Sequence, residues 1–213
     1  MKVFTAFEAA YLPILDTHFL PSLPAGCDPQ LHELQSPAAE FGTPGFRALM
    51  IERMVWLGQA LGVCVDGEVI GVADADVRWY DPDFCVHGEL LLMGDDIAFA
   101  DDGANRCPCA GFWLARISPA LRMFMAAWES SLLKADPGPL QDQAVLRAML
   151  PSSGLKWHLL DQNVVWTTRF RYTPGMDISV PENLSVHHAN WTVGIDNKLE
   201  ILGRVQALVS KQS

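Results

Sequence analysis

The chain has 213 residues, half of them apolar and seven of them Trp, with a formal net charge of −10. The length suggests one domain and the apolar content supplies a large core, which together argue against disorder. The negative charge speaks against nucleic acid or an anionic membrane surface as partner, and an acidic protein that handles a phosphate ligand needs a cation or local Lys/Arg to do so.

The first residues, MKVFTAFEAAYLPILD, are interrupted by Glu8, Pro13 and Asp16 and do not read as a signal peptide. No uncharged apolar stretch approaches the roughly 20 residues of a membrane span. Five cysteines, an odd number without a secretory signal, are expected as reduced thiols in a cytoplasmic protein. Residues 3–7 read as a first strand, PSLPAGCDPQ as a loop, and residues 31–33 as a short second strand. In GTPGFRALMIERMVWLGQAL, Thr43 precedes Pro44, and Leu49, Met50, Met54, Val55 and Leu57 follow at helical spacing. Arg47 and Arg53 fall on the same helix, and Gly62 ends it. The DGE of residues 66–68 is a turn leading into VIGVA, a compact β-rich run. Residues 95–100 and 110–117 read as two more strands. Ser118 and Pro119 make an N-cap and N1 pair that opens a helix through about Lys134. LQDQAVLRAML is another helix, KWHLLD and LSVHHANW are later strands, and KLEILGRVQALVSKQ is a C-terminal helix. Strands alternating with helices define an α/β class with a mostly parallel sheet. No repeat, low-complexity tract or linker divides it.

The VIGVA run ends in Asp74-Ala75-Asp76. Ligands of open α/β sheets collect beyond the carboxyl ends of strands. Alternation puts both carboxylates on one side if the chain stays extended. Two hard oxygen ligands suit Mg²⁺ or Mn²⁺, which beside a diphosphate neutralises a leaving phosphate. Alone, such a pair is more commonly a solvated acidic turn. The RWYDP that follows reads as the turn leaving the site.

VHHANWTVGIDNK follows another apolar strand. It offers an imidazole, at His187 or His188, as a third ligand. Gly194 permits close backbone approach, and Lys198 is a point charge for phosphate. The bland alternative puts His187 in the core, His188 on the surface and Lys198 in water. Asp142 and Gln143 open a helix, where a carboxylate and an amide either reach a pocket rim or simply serve the helix start.

Taken together, these segments resemble the nucleotide-diphospho-sugar transferases of GT-A fold, whose signature runs roughly DADVVWLRDP, then an N-x-G-F strand, then DQ, then HxNW…G…K. The counterparts here are DADVRWYDP, CAGFWLAR, LQDQAVL and HHANWTVGIDNK, in the family's order over residues 69–198. VFTAFEAAYLP and GTPGFRALMIERMVWLGQAL are similar, more loosely, to the family's first strand and nucleotide-side helix. The resemblance implies a single Rossmann-like GT-A domain over residues 1–213, with a mostly parallel mixed sheet flanked by helices. It implies a glycosyltransferase dependent on Mn²⁺ or Mg²⁺. The donor is a nucleotide-diphospho-sugar, foremost a UDP-sugar, and the acceptor a saccharide or other hydroxyl compound. Retention at the anomeric carbon follows from the same resemblance, by a front-face route in which the leaving phosphate takes the acceptor proton.

The same resemblance distributes roles. Asp76 is the principal metal ligand, and Asp74 contacts the ribose and the metal shell. His188 matches the histidine of HxNW, with His187 the alternative. Lys198 holds the diphosphate. Thr5, Ala6 and Phe7 border base and ribose, and Asp142 and Gln143 face the transferred sugar. Two departures stand out: Cys109 replaces the family's Asn, and the chain is short, leaving little acceptor-side elaboration.

Other features weigh less. Cys85-Val86-His87 and Cys107-Pro108-Cys109 are too tightly spaced for a zinc knuckle. Asp95-Asp96 and Asp101-Asp102 bracket the strand IAFA as a solvated border or as polar contacts to a sugar, and Asp101 or Asp102 resembles an acidic position ahead of the family's N-x-G-F. Trp79, Trp113 and Trp191 each sit beside a motif and serve either the core or a sugar face. Two further functions compete. A sugar nucleotidyltransferase normally carries a Gly-rich basic loop after its first strand, which TAFEAAYLP lacks. A non-catalytic nucleotide-sugar-binding or scaffold protein would explain Cys109.

Overall fold

The computed structural model describes residues 1–36, 43–102, 106–134, 142–168 and 170–212. Strand β1 (Lys2–Phe7) lies parallel to β2 (Asp28–Glu33) on one side and to β3 (Val69–Ala73) on the other. Beyond β3, β6 (Pro108–Arg116) runs antiparallel to both β3 and β5 (Ile97–Asp101), and β7 (Trp157–Leu159) pairs parallel with β5. The six-stranded order is β2-β1-β3-β6-β5-β7, so β6 alone opposes the other five. This is the mostly parallel mixed sheet expected.

Alternation along each strand sorts the core into two faces. On one face Trp113 of β6 joins Phe4, Ile70 and Val72 with Met54 and Leu57 of α2 (Pro44–Gly62) and Trp128 of α4 (Pro119–Lys134). On the other, Phe112 and Leu114 join Val3, Phe7, Ala73, Trp79 and Phe84. Helices α2 and α4 start as expected. The Thr43 hydroxyl accepts the Phe46 N–H at 3.3 Å, and the Ser118 hydroxyl accepts the Leu121 N–H at 3.1 Å.

A second, three-stranded sheet has the order β4-β9-β8, from β4 (Val77–Trp79), β8 (Val165–Thr167) and β9 (Val186–His188). Helix α6 (Ile195–Gln212) covers a third apolar cluster through Ile201, Leu202 and Val205, against Trp166, Tyr172 and Leu184. Ile14 of α1 (Leu12–Ile14) joins that cluster from a run of helical turns over residues 9–22. Helices α3 (Phe84–Leu91) and α5 (Asp142–Met149) complete the α-helices among the described residues.

Several expectations are corrected. RWYDP is not simply a turn: Val77–Trp79 is a strand, because β9 supplies an antiparallel partner. Strand β2 starts at Asp28, since parallel pairing with β1 extends it through six residues. Helix α3 is not anticipated by the sequence pattern. The five cysteines are not all free: Cys27, ahead of β2, is disulfide-paired with Cys85 of α3, their Cα atoms 6.0 Å apart. Packing of α3 beside the loop before β2 brings together two thiols 58 residues apart in sequence. Cys64, Cys107 and Cys109 are free and buried. Among the described residues, no helix is long and apolar enough to cross a membrane.

Trp113 is fully buried at the centre of the sheet. Trp113→Ala should cost about 3–5 kcal/mol in urea unfolding. A loss below about 1 kcal/mol would contradict its place in the core.

Candidate active site

The site begins where β3 runs out. The Asp74 N–H donates to the Gly111 carbonyl at 2.7 Å, extending the β3–β6 ladder by one residue. The chain then turns, the Val77 N–H donating to the Asp74 carbonyl at 3.2 Å, and enters β4. Antiparallel pairing sets Val77 opposite His188, and the Ala189 N–H donates to the Asp76 carbonyl at 3.0 Å. Backbone register therefore delivers His188 to the acidic pair. Its Nε2 lies 3.3 Å from Asp76 Oδ1 and 3.5 Å from Asp74 Oδ2. His187, one residue earlier, points to the opposite face, as strand geometry requires. It stacks on Trp166 at 4.8 Å, and its Nε2 lies 3.0 Å from the Thr168 hydroxyl. Burial, then the neighbouring His188, pushes it down to about 3, so it stays neutral.

Each of the two aspartates has one oxygen on a cation and the other toward His188. Arg53, from the buried face of α2, binds Asp74 Oδ1 at 2.9 Å, leaving Oδ2 for the imidazole. Lys198, in the first turn of α6, binds Asp76 Oδ2, leaving Oδ1. Lys198 also donates to the Ala189 carbonyl at 3.2 Å, and its Nζ stands 5.8 Å from the centre of the Tyr11 ring. Burial opposes charge on Asp76, Lys198 and His188, but the partners prevail. Lys198 and His188 hold the Asp76 carboxyl well below the usual carboxylate range. The Asp76 carboxylate in turn raises Lys198 and holds His188 well above its ordinary value. Burial also pushes the Tyr11 phenol up to about 12.

Asp74, Asp76 and His188 offer ligand atoms that all lie within 4.8 Å of one another. Two carboxylates and an imidazole, the latter ligating once deprotonated, form a donor set suited to Mn²⁺ or Mg²⁺. Gly111 keeps the space beside them open. A Cβ there would collide with the Asp74 carboxylate and the His188 ring. The residues thus fit a divalent cation. Among the described residues no other His/Cys/Asp/Glu group has this arrangement, and His87 faces Asp81 at 3.2 Å.

A second network adjoins the first. Arg53 reaches Asp142 Oδ2 at 3.3 Å and donates to the Ala110 carbonyl at 3.0 Å, tying α5 to β3 and β6. Burial raises the Asp142 carboxyl against the pull of Arg53. The Trp128 indole donates to the Asp142 carbonyl at 3.0 Å. Gln143 donates its amide to Asp102 Oδ2, and its Oε1 accepts from the Ala110 N–H at 3.5 Å. Asp102 also accepts from Asn190 Nδ2, and from the Trp191 indole at 3.1 Å. Burial raises this carboxyl, and the donors from Gln143 and Trp191 work against that. Cys109 bridges the networks: its sulfur lies 3.6 Å from His188 Nδ1 and 3.8 Å from Asn190 Nδ2.

The remaining sequence candidates divide. Thr5 is fully buried, and its hydroxyl has no partner among the described residues. Ala6 is half-buried, and the Phe7 ring packs in the core. Of the acidic border, Asp102 enters the site, whereas Asp95 faces His158 at 2.9 Å and Asp96 accepts the Lys156 N–H at 2.8 Å. Trp79 and Trp113 are core, and Trp191 is exposed. Sequence reasoning gave no role to Arg53, Gly111 or Tyr11. A signal existed for two of them. Arg53 lies midway between Leu49 and Leu57 on the apolar face of its helix, and Gly111 interrupts an apolar strand where close approach is the usual reason.

The fold is that of the GT-A glycosyltransferases. A glycosyltransferase involved in glycosylation of the major capsid of PBCV-1 superposes with a TM-score of 0.68 at 12% identity, over 95% of this chain and 98% of that one. The galactosyltransferase LgtC, solved with donor and acceptor sugar analogs, gives 0.51 at 13% identity over 96% of both chains. Mouse xyloside xylosyltransferase 1 gives 0.50 at 11%, over 89% of this chain and 98% of that one. At such identities the likeness establishes the fold. The chain belongs to the nucleotide-diphospho-sugar transferase family, whose model matches residues 31–202. A search of curated proteins by sequence finds no match.

Removing Arg53 leaves Asp142 buried without its cation. Arg53→Ala should cost about 3–5 kcal/mol at neutral pH. A carboxyl with a raised folded pKa is least unfavourable below its unfolded value, and its cost grows as pH rises through the folded one. The deficit in urea melts should therefore shrink toward acid pH, and a pH-independent deficit would contradict the pairing. Gly111→Ala should displace Asp74 or His188 and weaken Mn²⁺ binding, read by calorimetry; unchanged Mn²⁺ affinity would contradict the cradle.

Proposed function

We propose that this transferase is metal-dependent, taking a UDP-sugar as donor and a saccharide or other hydroxyl compound as acceptor, within one domain spanning the chain. The observation that carries the reading is the meeting of Asp74, Asp76 and His188 at the end of β3, flanked by Lys198 and Arg53. In a chain of net charge −10, whose Arg53 and Lys198 are already engaged by site carboxylates, a nucleoside diphosphate needs an added cation to bind here. A Mn²⁺ or Mg²⁺ held by the three residues supplies stabilisation of the charge on the departing diphosphate.

The protein's own groups do the rest. Lys198 adds a point charge for the diphosphate. Asp76 is the principal ligand, and Asp74, half-open to solvent and oriented by Arg53, lies nearer the ribose. Thr5 offers an unsatisfied hydroxyl at the end of β1, with Ala6 and Phe7 lining that end toward base and ribose. Gln143, its amide fixed by Asp102, and Asp142 border the transferred sugar. An oxocarbenium-like centre is favoured by nearby carboxylate and amide oxygen. Arg53 holds the Asp142 carboxylate in an ion pair, which makes it a poor nucleophile. Within a retaining reaction that favours a front-face route over a covalent glycosyl-enzyme: the bond from the anomeric carbon to the leaving phosphate breaks, and the acceptor hydroxyl passes its proton to that phosphate as the new glycosidic bond forms.

Release of UDP from a panel of UDP-sugars with Mn²⁺ tests the reading. Turnover with at least one donor is expected. Binding without hydrolysis or transfer would favour a binding protein, for which Cys109 in the Asn position is the best argument. Asp76→Asn should abolish Mn²⁺-dependent UDP binding, whereas Lys198→Ala should weaken UDP binding more than Mn²⁺ binding. Unchanged UDP affinity in Asp76→Asn would sink the site.

A further inference from the structure

Six of the seven Trp side chains are buried or half-buried; Trp191 is 53% exposed. Its backbone has φ of +59°, a left-handed conformation rare for a bulky residue and found where surrounding structure enforces it. Two hydrogen bonds do the enforcing. The Trp191 N–H donates to the Asn190 side-chain oxygen at 3.0 Å, and the indole N–H donates to Asp102 Oδ1 at 3.1 Å. Asp102 is itself buried and held by the amides of Asn190 and Gln143. The polar edge of the indole is thus spent inward on a fixed anchor, and apolar ring surface is left to solvent.

The place of this ring is informative. Its anchor is shared with Gln143 at the start of α5, beside Asp142 and Arg53, and not with Lys198. The ring thus shares its anchor with a residue assigned above to the transferred sugar. A rigid aromatic with its polar tip satisfied loses little entropy on covering, and offers a flat apolar face of the kind pyranose C–H groups pack against. Bulk exposure alone would mean nothing, but a strained backbone and a buried carboxylate both serve to hold this one ring outward.

We propose that Trp191 is the acceptor platform, its exposed indole face stacking on a pyranose ring of a saccharide acceptor. This rests on the transferase reading above. A planar base would stack as well, but the base end of that reading lies at β1, and the test separates the two.

The test is nuclear magnetic resonance on ¹⁵N-labelled protein with Mg²⁺ and UDP, following the Trp191 indole N–H, assigned by its disappearance in Trp191→Phe. Lactose, cellobiose and methyl β-xyloside are the probes. At least one should move that resonance saturably. In the variants, which lack the indole, sugar affinity is read from the backbone amide resonances that the same sugar moves in the wild type: Trp191→Ala should weaken that sugar about tenfold or more, the scale of one lost stacking contact, and Trp191→Phe, which keeps an aromatic face, should weaken it less. If UDP binds the wild type but none of the three sugars moves the resonance, the platform is overturned and the transferase reading stands. If UDP alone moves it and the sugars do not, Trp191 belongs to the donor and the platform is equally overturned. Equal sugar affinity in Trp191→Ala has the same consequence. Failure of UDP to bind the wild type overturns the donor reading, and the platform with it.

Discussion

The pairing of β4 with β9 is the contact on which the site depends. Val77 opposite His188 is a matter of backbone register, and a shift by one residue would turn His187 toward the aspartates and His188 toward Trp166. Three residues of β4 settle it, because β4 leaves the acidic turn directly and β9 is held on its other side by β8. The apolar cluster beneath α6 packs Trp166 of β8 and so supports the sheet that carries the histidine.

Charge is the second constraint. Four buried or half-buried carboxylates, those of Asp74, Asp76, Asp102 and Asp142, converge on one end of the sheet. They are answered in three ways: Asp74 and Asp142 by one arginine, Asp76 by a lysine, and Asp102 by neutral donors that include Gln143, Asn190 and Trp191. Arginine suits the shared position because its planar fork serves two carboxylates and a carbonyl at once. The division also fixes orientation. With one oxygen of Asp74 and one of Asp76 committed to cations, the remaining two point at the same imidazole nitrogen.

Much of this was legible in the sequence, and the reasons it stopped are specific. Strand β3 and the two aspartates were readable because an apolar run ended abruptly in acid, and α2 and α4 because Thr43 and Ser118 cap them. The four motifs in order pointed to the family. Strand β4 was not legible: three residues carry no periodicity, and RWYDP resembles a turn until β9 is beside it. Contacts made only by tertiary folding were equally hidden. Lys198 and Asp76 are 122 residues apart, Arg53 and Asp142 are 89, and Cys27 and Cys85 are 58. Asp102 could be narrowed only to a choice with Asp101. Tertiary folding brings Asp102 to Gln143, Asn190 and Trp191.

The central claim is that strand register assembles one divalent-cation site from Asp74, Asp76 and His188. Anomalous scattering from crystals grown with Mn²⁺ and UDP measures it directly. The account predicts a manganese peak bounded by those three side chains, with the nitrogen of Lys198 on the diphosphate. A peak elsewhere, or none there with Lys198 still on Asp76 and UDP bound, would contradict it.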